Sequence, residues 1–280
     1  MSQPLPLENL CFLKLGGSLI TDKDTPHTPR LDVLERLAGE IARARQQRPE
    51  MCLVIGHGSG SFGHVPAKKY GTREGVSTPE EWRGFVEVWK EAAALNRLVM
   101  DALHAAGVPA ISLPPSAMVT SRQGRVLSWE LGVVRAALHA GLVPVIYGDV
   151  IFDVVLGGTI LSTEDLFTYL ASALHPRRLL LAGREEGVWA DYPHCTQLVE
   201  QITPADAGKI SRVVSGSTAT DVTGGMESKV QLCLALVGKL PRLEIQIFSG
   251  VEAGAVENAL LGKPSGTRIW RGEAATPGGS

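Results

Sequence analysis

From Val54 to His64 the chain reads Val-Ile-Gly-His-Gly-Ser-Gly-Ser-Phe-Gly-His, a turn with glycines at 56, 58, 60 and 63. Glycine lets a backbone approach a bulky anion with its N–H groups turned inward, and such nests bind phosphate. His57 and His64 bracket the turn, and either could donate a hydrogen bond to a phosphate oxygen. A tight strand-to-helix turn with incidental histidines would account for the same residues. A second turn, Lys14-Leu-Gly-Gly-Ser18, places a lysine, two glycines and a hydroxyl at the end of another short apolar run. A third, Asp221-Val-Thr-Gly-Gly-Met-Glu-Ser-Lys229, precedes a helical stretch. Lys229 falls about one turn into that helix, near its anion-attracting end.

These turns match neither common nucleotide fingerprint. A Walker A loop places its lysine directly after the last glycine, and Lys14 precedes its glycines. Gly58-Ser-Gly-Ser-Phe-Gly63 has the formal spacing of a dinucleotide loop. The internal aromatic, followed by His64 and Pro66, argues against that assignment.

The elements that position these turns alternate strand and helix, which favours an α/β fold with a mostly parallel central sheet sandwiched by helices. Strands are expected at 10–15, 51–55, 110–113, 143–147, 178–182 and 244–248. Helices are expected at 31–47, 79–106, 129–140, 164–174, 226–239 and 253–261. Ser121-Arg-Gln-Gly124 and Val155-Leu-Gly-Gly158 read as turns of small inserted hairpins. The small, polar stretch 271–280 is expected to be a disordered tail.

Composition narrows the function classes. A net charge of -2 argues against a nucleic-acid surface. Cys11, Cys52, Cys195 and Cys233 have no C-x-x-C spacing, so neither a zinc site nor a disulfide framework is expected. No apolar run approaches the roughly 20 residues that span a bilayer, and the first nine residues lack a signal pattern, so membrane partners are not expected and a cytoplasmic protein is.

Lys14-Leu-Gly-Gly-Ser18, the Gly58–His64 loop, Gly148-Asp149 and Thr223-Gly-Gly-Met226 stand in the order seen in the amino acid kinase family, which the chain resembles from about Leu10 to Trp270. Within it the chain is most similar to the isopentenyl phosphate kinases, through Ser61-Phe-Gly-His64, Ala67-Lys-Lys-Tyr70 and Ser215-Gly-Ser217. The resemblance implies two lobes sharing one sheet, with an acceptor-binding lobe at 10–175 and a nucleotide-binding lobe at 176–270. It implies ATP and Mg2+ as cofactors, isopentenyl phosphate as small-molecule substrate, a place in isoprenoid biosynthesis by a mevalonate pathway, and a homodimer.

Residue by residue, the resemblance makes Lys14 and Lys229 span the ATP phosphates, with Asp149 as the organiser that holds both lysines. Gly16, Gly17, Ser18, Gly60, Gly187, Gly224 and Gly225 fall at its ATP-binding positions. His64 holds the acceptor phosphate, with Ser59, Gly63 and Thr163 beside it. Lys23 reaches the phosphates or is a surface lysine, and Lys68 and Lys69 read as a solvated pair. No carboxylate cluster marks a metal cage. Trp82, Phe85, Val86 and Trp89 recur at helical spacing, and core packing or a prenyl slot would both explain them. Two stretches depart from the family. Gly183-Arg-Glu-Glu-Gly-Val188 has Arg184 and Glu186 at aspartate positions, and Ser162-Thr-Glu-Asp165 has Thr163 where relatives carry glycine. A kinase for another small phosphate or phosphonate such as fosfomycin, or a non-catalytic nucleotide-binding sensor or storage protein, would share the same framework.

Overall fold

The computed structural model describes residues 9–206 and 225–272. Its strands are β1 (Leu10–Leu15), β2 (Cys52–His57), β3 (Ala110–Ser112), β4 (Val119–Arg122), β5 (Arg125–Trp129), β6 (Val143–Tyr147) and β7 (Asp149–Asp153). They continue with β8 (Gly157–Leu161), β9 (Arg178–Gly183), β10 (Val188–Trp189), β11 (Leu198–Val199), β12 (Gln201–Ile202), β13 (Glu244–Ser249) and β14 (Thr267–Ile269). The α-helices are α1 (Gly17–Ile20), α2 (Leu31–Gln47), α3 (Gly60–Tyr70), α4 (Pro79–Ala105), α5 (Gly132–His139), α6 (Thr163–Leu174), α7 (Gly225–Lys239) and α8 (Ala255–Leu260).

Eight strands form one sheet in the order β12-β14-β13-β9-β1-β2-β6-β3, parallel except for the β13–β14 pair. β1, β2, β6 and β9 are nearly continuous apolar runs because helices cover both faces of the sheet. The period of two then sorts their side chains. Leu10 and Phe12 join a core cluster with α6 and α7, while Cys11, Leu13 and Leu15 join a second with α2, α4 and α8. Lys14 shares the parity of Phe12, whose ring lies 5.0 Å from Phe167 of α6. That parity directs Lys14 to the α6–α7 side.

Local signals fix the helix starts. Thr78 and Glu81 close a capping box on α4, with Pro79 at the first helical position. Ser162 and Asp165 do the same for α6. On α2, the buried Glu40 carboxylate accepts from the N–H groups of Gly254, Val256 and Glu257, and Arg36 donates to Glu40 and to the carbonyl of Gly250. This ties α2 to the start of α8.

The two expected hairpins pair as β4–β5 and β7–β8 within a four-stranded sheet ordered β5-β4-β7-β8. Asp153 joins their tips, accepting from Gln123, Gly124, Val155 and Leu156 N–H and from the Ser121 hydroxyl. Burial works to raise its carboxyl, but these donors outweigh it and hold the group well below the usual carboxylate range. Two expectations are corrected. The helix placed at 129–140 starts at Gly132, because Trp129 closes β5. The glycine-rich stretch is itself helical from Gly60, so α3 grows out of the turn. No described helix is long and apolar enough to cross a membrane.

Candidate active site

The first two glycine turns meet at the C-terminal ends of adjacent parallel strands, β1 and β2, where open α/β sheets hold ligands. A Cβ on Gly17 would stand 2.6 Å from the Gly60 nitrogen, and one on Gly58 would stand 3.0 Å from the Gly17 nitrogen. Only backbone fits between these turns. Gly60 also has φ of +51°, in the left-handed region that glycine enters at little cost. Thr21 stitches the turns together, since its hydroxyl donates to Gly17 O at 2.8 Å and accepts from Ser61 N at 2.9 Å. Gly16 N donates to Ala182 O of β9. Ser18, half-buried, lies in the single turn of α1.

Ser59 is the N-cap of α3, so the positive end of that helix opens at the cradle. A Cβ on Gly63 would meet Ser59 Cβ and Oγ at 2.7 Å. His64, half-buried, follows on the next turn of α3. The arrangement therefore gathers Gly17, Ser59 and Gly60, with Gly63 and His64 following on the same helix.

Lys14 forms an ion pair and hydrogen bond with Glu164 in the first turn of α6. Burial works to raise the Glu164 carboxyl, but the charge and hydrogen bond of Lys14, with the charge of Lys229, hold it below the ordinary glutamate value. Glu164 therefore lies within electrostatic reach of both lysines. The same three groups act on the Cys233 thiol of α7, which burial pushes up to about 12. Among the described residues, no three His, Cys, Asp or Glu side chains form a group able to hold a metal ion. Next to the turns stand Lys14 and its paired carboxylate, with Lys229 in electrostatic reach, and the backbone N–H groups of the turns themselves. This donor set suits a polyanion.

Three site expectations change. Asp149 is fully buried, and its oxygens accept from Ser116 N at 3.1 Å and Val150 N at 2.9 Å. Burial raises it to about 6 despite those bonds. The carboxylate that pairs with Lys14 is Glu164, because Lys14 faces α6 rather than the start of β7. His57 is fully buried, with Nε2 3.2 Å from Asn96 Oδ1, so its ring is not exposed to meet a ligand. Thr163 is buried too, and its hydroxyl donates to His57 O at 2.6 Å. Its methyl fills the space beside Gly56, where a Cβ would lie 2.5 Å from Thr163 Cγ2 and 2.6 Å from Phe167 Cζ. Only the main chain of Thr163 is left to face a ligand.

Of the remaining expected positions, Gly225 starts α7 and Lys229 lies on that helix. Gly187 is buried against Thr267, whose Oγ1 would be 2.6 Å from a Cβ there. Arg184 and Glu186 are exposed. Lys23, Lys68 and Lys69 are exposed, and Lys69 contacts Tyr70. Gly224, with Ser215-Gly-Ser217 and 273–280 of the tail, lies outside the described residues.

Phe85, Val88, Val76 and Val150 form a small apolar cluster with Trp82, Ile160 and Ala67 packed against it. Trp82 and Phe85 both contact the ring of Phe152. Val86 and Trp89, expected on the same stripe, are 57% and 45% exposed. Ala67 stands three residues after His64 on α3, so it shares that residue's face.

A profile of the amino acid kinase family matches residues 9–249. An isopentenyl phosphate kinase from Methanocaldococcus jannaschii is 34% identical over 269 residues, covering 93% of this chain and 98% of its own. One from Methanothermobacter thermautotrophicus is 36% identical over 272 residues, with the same 93% and 98% coverage. A crystal structure of an isopentenyl phosphate kinase superposes with a TM-score of 0.78 at 33% identity, covering 93% of this chain and 99% of that one.

Proposed function

Because the chain belongs to the amino acid kinase family and groups within it with the isopentenyl phosphate kinases, we propose that it moves the γ-phosphoryl group of ATP to isopentenyl phosphate, yielding isopentenyl diphosphate and ADP. The observation that supports this reading is that Lys14, on the strand leading into two interlocked glycine turns, pairs with Glu164, on which the charge of Lys229 also acts.

The chemistry asks little of covalent catalysis. A phosphate monoester has its second ionisation at about 6, so the acceptor is already an oxyanion nucleophile near neutral pH and needs no general base. Its oxygen forms a bond to the γ-phosphorus as the bond to the bridging oxygen breaks, and ADP leaves with that electron pair. The protein must align the two anions and offset their repulsion. Lys14 and Lys229 neutralise the moving phosphoryl group, with Glu164 setting their positions. Gly17, Ser18 and Gly60 present the ATP phosphates with backbone donors, continued by Gly187, Gly224 and Gly225, while Gly16, whose N–H is held by Ala182 O, anchors the turn to β9. His64 donates to the acceptor phosphate, with Ser59, Gly63, the Thr163 main chain and Lys23 around it. Asp149 remains part of the site as the support behind Gly148. Magnesium would be held by the phosphates of ATP and by water, its charge offsetting theirs.

The acceptor's hydrocarbon tail would leave His64 along the face of α3 that carries Ala67, towards Trp82, Phe85 and Val150. In this reading 10–175 is the acceptor lobe and 176–270 the nucleotide lobe. A homodimer is part of the same proposal, tested by sedimentation velocity. The deciding experiment is ADP release with magnesium–ATP and isopentenyl phosphate, dimethylallyl phosphate, fosfomycin or no acceptor. Turnover with isopentenyl phosphate, lost in His64→Ala, supports the reading. Turnover with fosfomycin alone, or with no acceptor at all, overturns it.

A further inference from the structure

His57 ends β2 and is fully buried, its ring stacked on Tyr147 at 5.3 Å between centroids with 13° between planes. Its carbonyl takes two donors, Gly148 N at 3.2 Å and the Thr163 hydroxyl at 2.6 Å. Its ring nitrogens are also spoken for. Nδ1 is 3.1 Å from Gly58 O and Nε2 is 3.2 Å from the Asn96 amide, whose other end is 2.8 Å from Ser112 Oγ. Burial pushes this imidazole down, towards the neutral ring with one N–H, against the contacts from Gly58 and Asn96.

The place of that proton follows from counting donors. With the proton on Nε2, the Nδ1 lone pair would face the Gly58 carbonyl oxygen. With the proton on Nδ1, the ring donates to Gly58 O. A half-turn of the Asn96 amide, which exchanges two groups of equal size, then lets Asn96 donate to Nε2 and accept from Ser112. Of the two neutral forms, only the second uses every polar atom in the chain of contacts.

We propose that His57 is a positioning residue for the phosphate cradle: its Nδ1–H holds the Gly58 carbonyl inward and so turns the Ser59 N–H outward, to the ligand. The step from carbonyl to N–H rests on the planar trans peptide, in which the two bonds point in opposite directions. Gly58 is free to take the orientation that His57 imposes, because it has no side chain and lies against Gly17. A buried histidine at this place thus aims a backbone donor without touching the ligand. The inference rests on the reading of the glycine turns as the phosphate site.

The test uses the full chain labelled with 15N. Imidazole nitrogen shifts of the wild-type protein should show Nδ1 protonated and Nε2 bare, and the reverse pattern overturns the proposal. Titration with inorganic phosphate, then with isopentenyl phosphate, should move the Ser59 amide proton downfield. His57→Leu should lose that response and lower kcat/KM for isopentenyl phosphate on the order of 10- to 100-fold, as expected for a misaimed donor. His57→Asn offers a side-chain N–H to the same carbonyl and should recover much of both. A purely structural role predicts equal losses in the two variants with the Ser59 response intact, and that result overturns the proposal. Should wild-type protein release no ADP with isopentenyl phosphate, the functional reading fails, while the response to inorganic phosphate still decides the role of His57.

Discussion

Replacing Glu164 with glutamine removes the charge that Lys14 faces while keeping the shape of the side chain. Exposed ion pairs contribute about 0.2–1 kcal/mol, and breaking a fully buried one costs about 3–5 kcal/mol. The Lys14 and Glu164 side chains keep 13% and 19% of their surface, closer to the buried limit. A loss of about 2–3 kcal/mol in stability at pH 7 is therefore expected, because the lysine is left largely buried without its partner. Its pH dependence has a definite sign. The folded Glu164 carboxyl lies below the ordinary 4.5, so its contribution is present above that value and disappears as pH falls through the lowered one. The gap between wild type and Glu164→Gln should thus be constant from pH 6 to 8 and narrow below pH 4.5. Catalysis adds a second readout. A lysine no longer held on the transferring phosphoryl group should lower kcat by on the order of 100-fold, with a smaller change in KM for ATP. Urea unfolding across pH, paired with steady-state kinetics, measures both, and Lys14→Met with Glu164→Gln closes a double-mutant cycle. Unchanged kcat in Glu164→Gln, or a cycle with no coupling, would refute the organiser role.

Three further outcomes are expected. Phe85→Ala should raise KM for isopentenyl phosphate more than KM for ATP, alongside a core loss of about 3–5 kcal/mol; equal effects on both substrates would assign Phe85 to packing alone. Gly17→Ala places a Cβ 2.6 Å from the Gly60 nitrogen, so ATP binding measured by calorimetry should weaken at least tenfold, about 1.4 kcal/mol, and wild-type affinity would show that the turns can part. The Asp149 carboxyl should titrate near pH 6 by 13C NMR, above its ordinary 3.8, because burial outweighs its bonds from Ser116 and Val150. Since the folded state binds this proton more tightly, the contribution of Asp149 to stability falls as pH rises from 3.8 through 6, and a midpoint near 4 would contradict that.

The sheet could be read from the chain because its strands are covered on both faces and so are almost wholly apolar, and α2 matched its expected limits of Leu31–Gln47. α3 could not be read this way. Its first residues are glycine, serine and phenylalanine, and it contains Pro66, so its helical state depends on contacts with α1 and α4 rather than on propensity. The same holds at the site. Lys14 and the glycines stand out by type and spacing, but Glu164 sits among other acids in Ser162-Thr-Glu-Asp165. Its signal was the strand parity that sends Lys14 to α6, available only once the order β9-β1-β2 is known. Asp149 carried the more familiar pattern, a carboxylate after a glycine at a strand end, yet β7 begins there and takes it into the interior. His57 and His64 look equivalent in the chain, and the period of β2 separates them.

The seating of the Thr163 methyl beside Gly56 constrains how this part of the chain can change over generations. A side chain at 56 and a branched one at 163 compete for the same space. Trimming position 163 alone would not release that space, because Phe167 Cζ would still lie 2.6 Å from a Cβ at 56. Glycine at 163 would leave a void where the threonine methyl sits, at a further cost of roughly 0.5–1 kcal/mol for a glycine inside a helix. The methyl and the ring therefore hold position 56 to glycine together, and a side chain can enter there only if both give way.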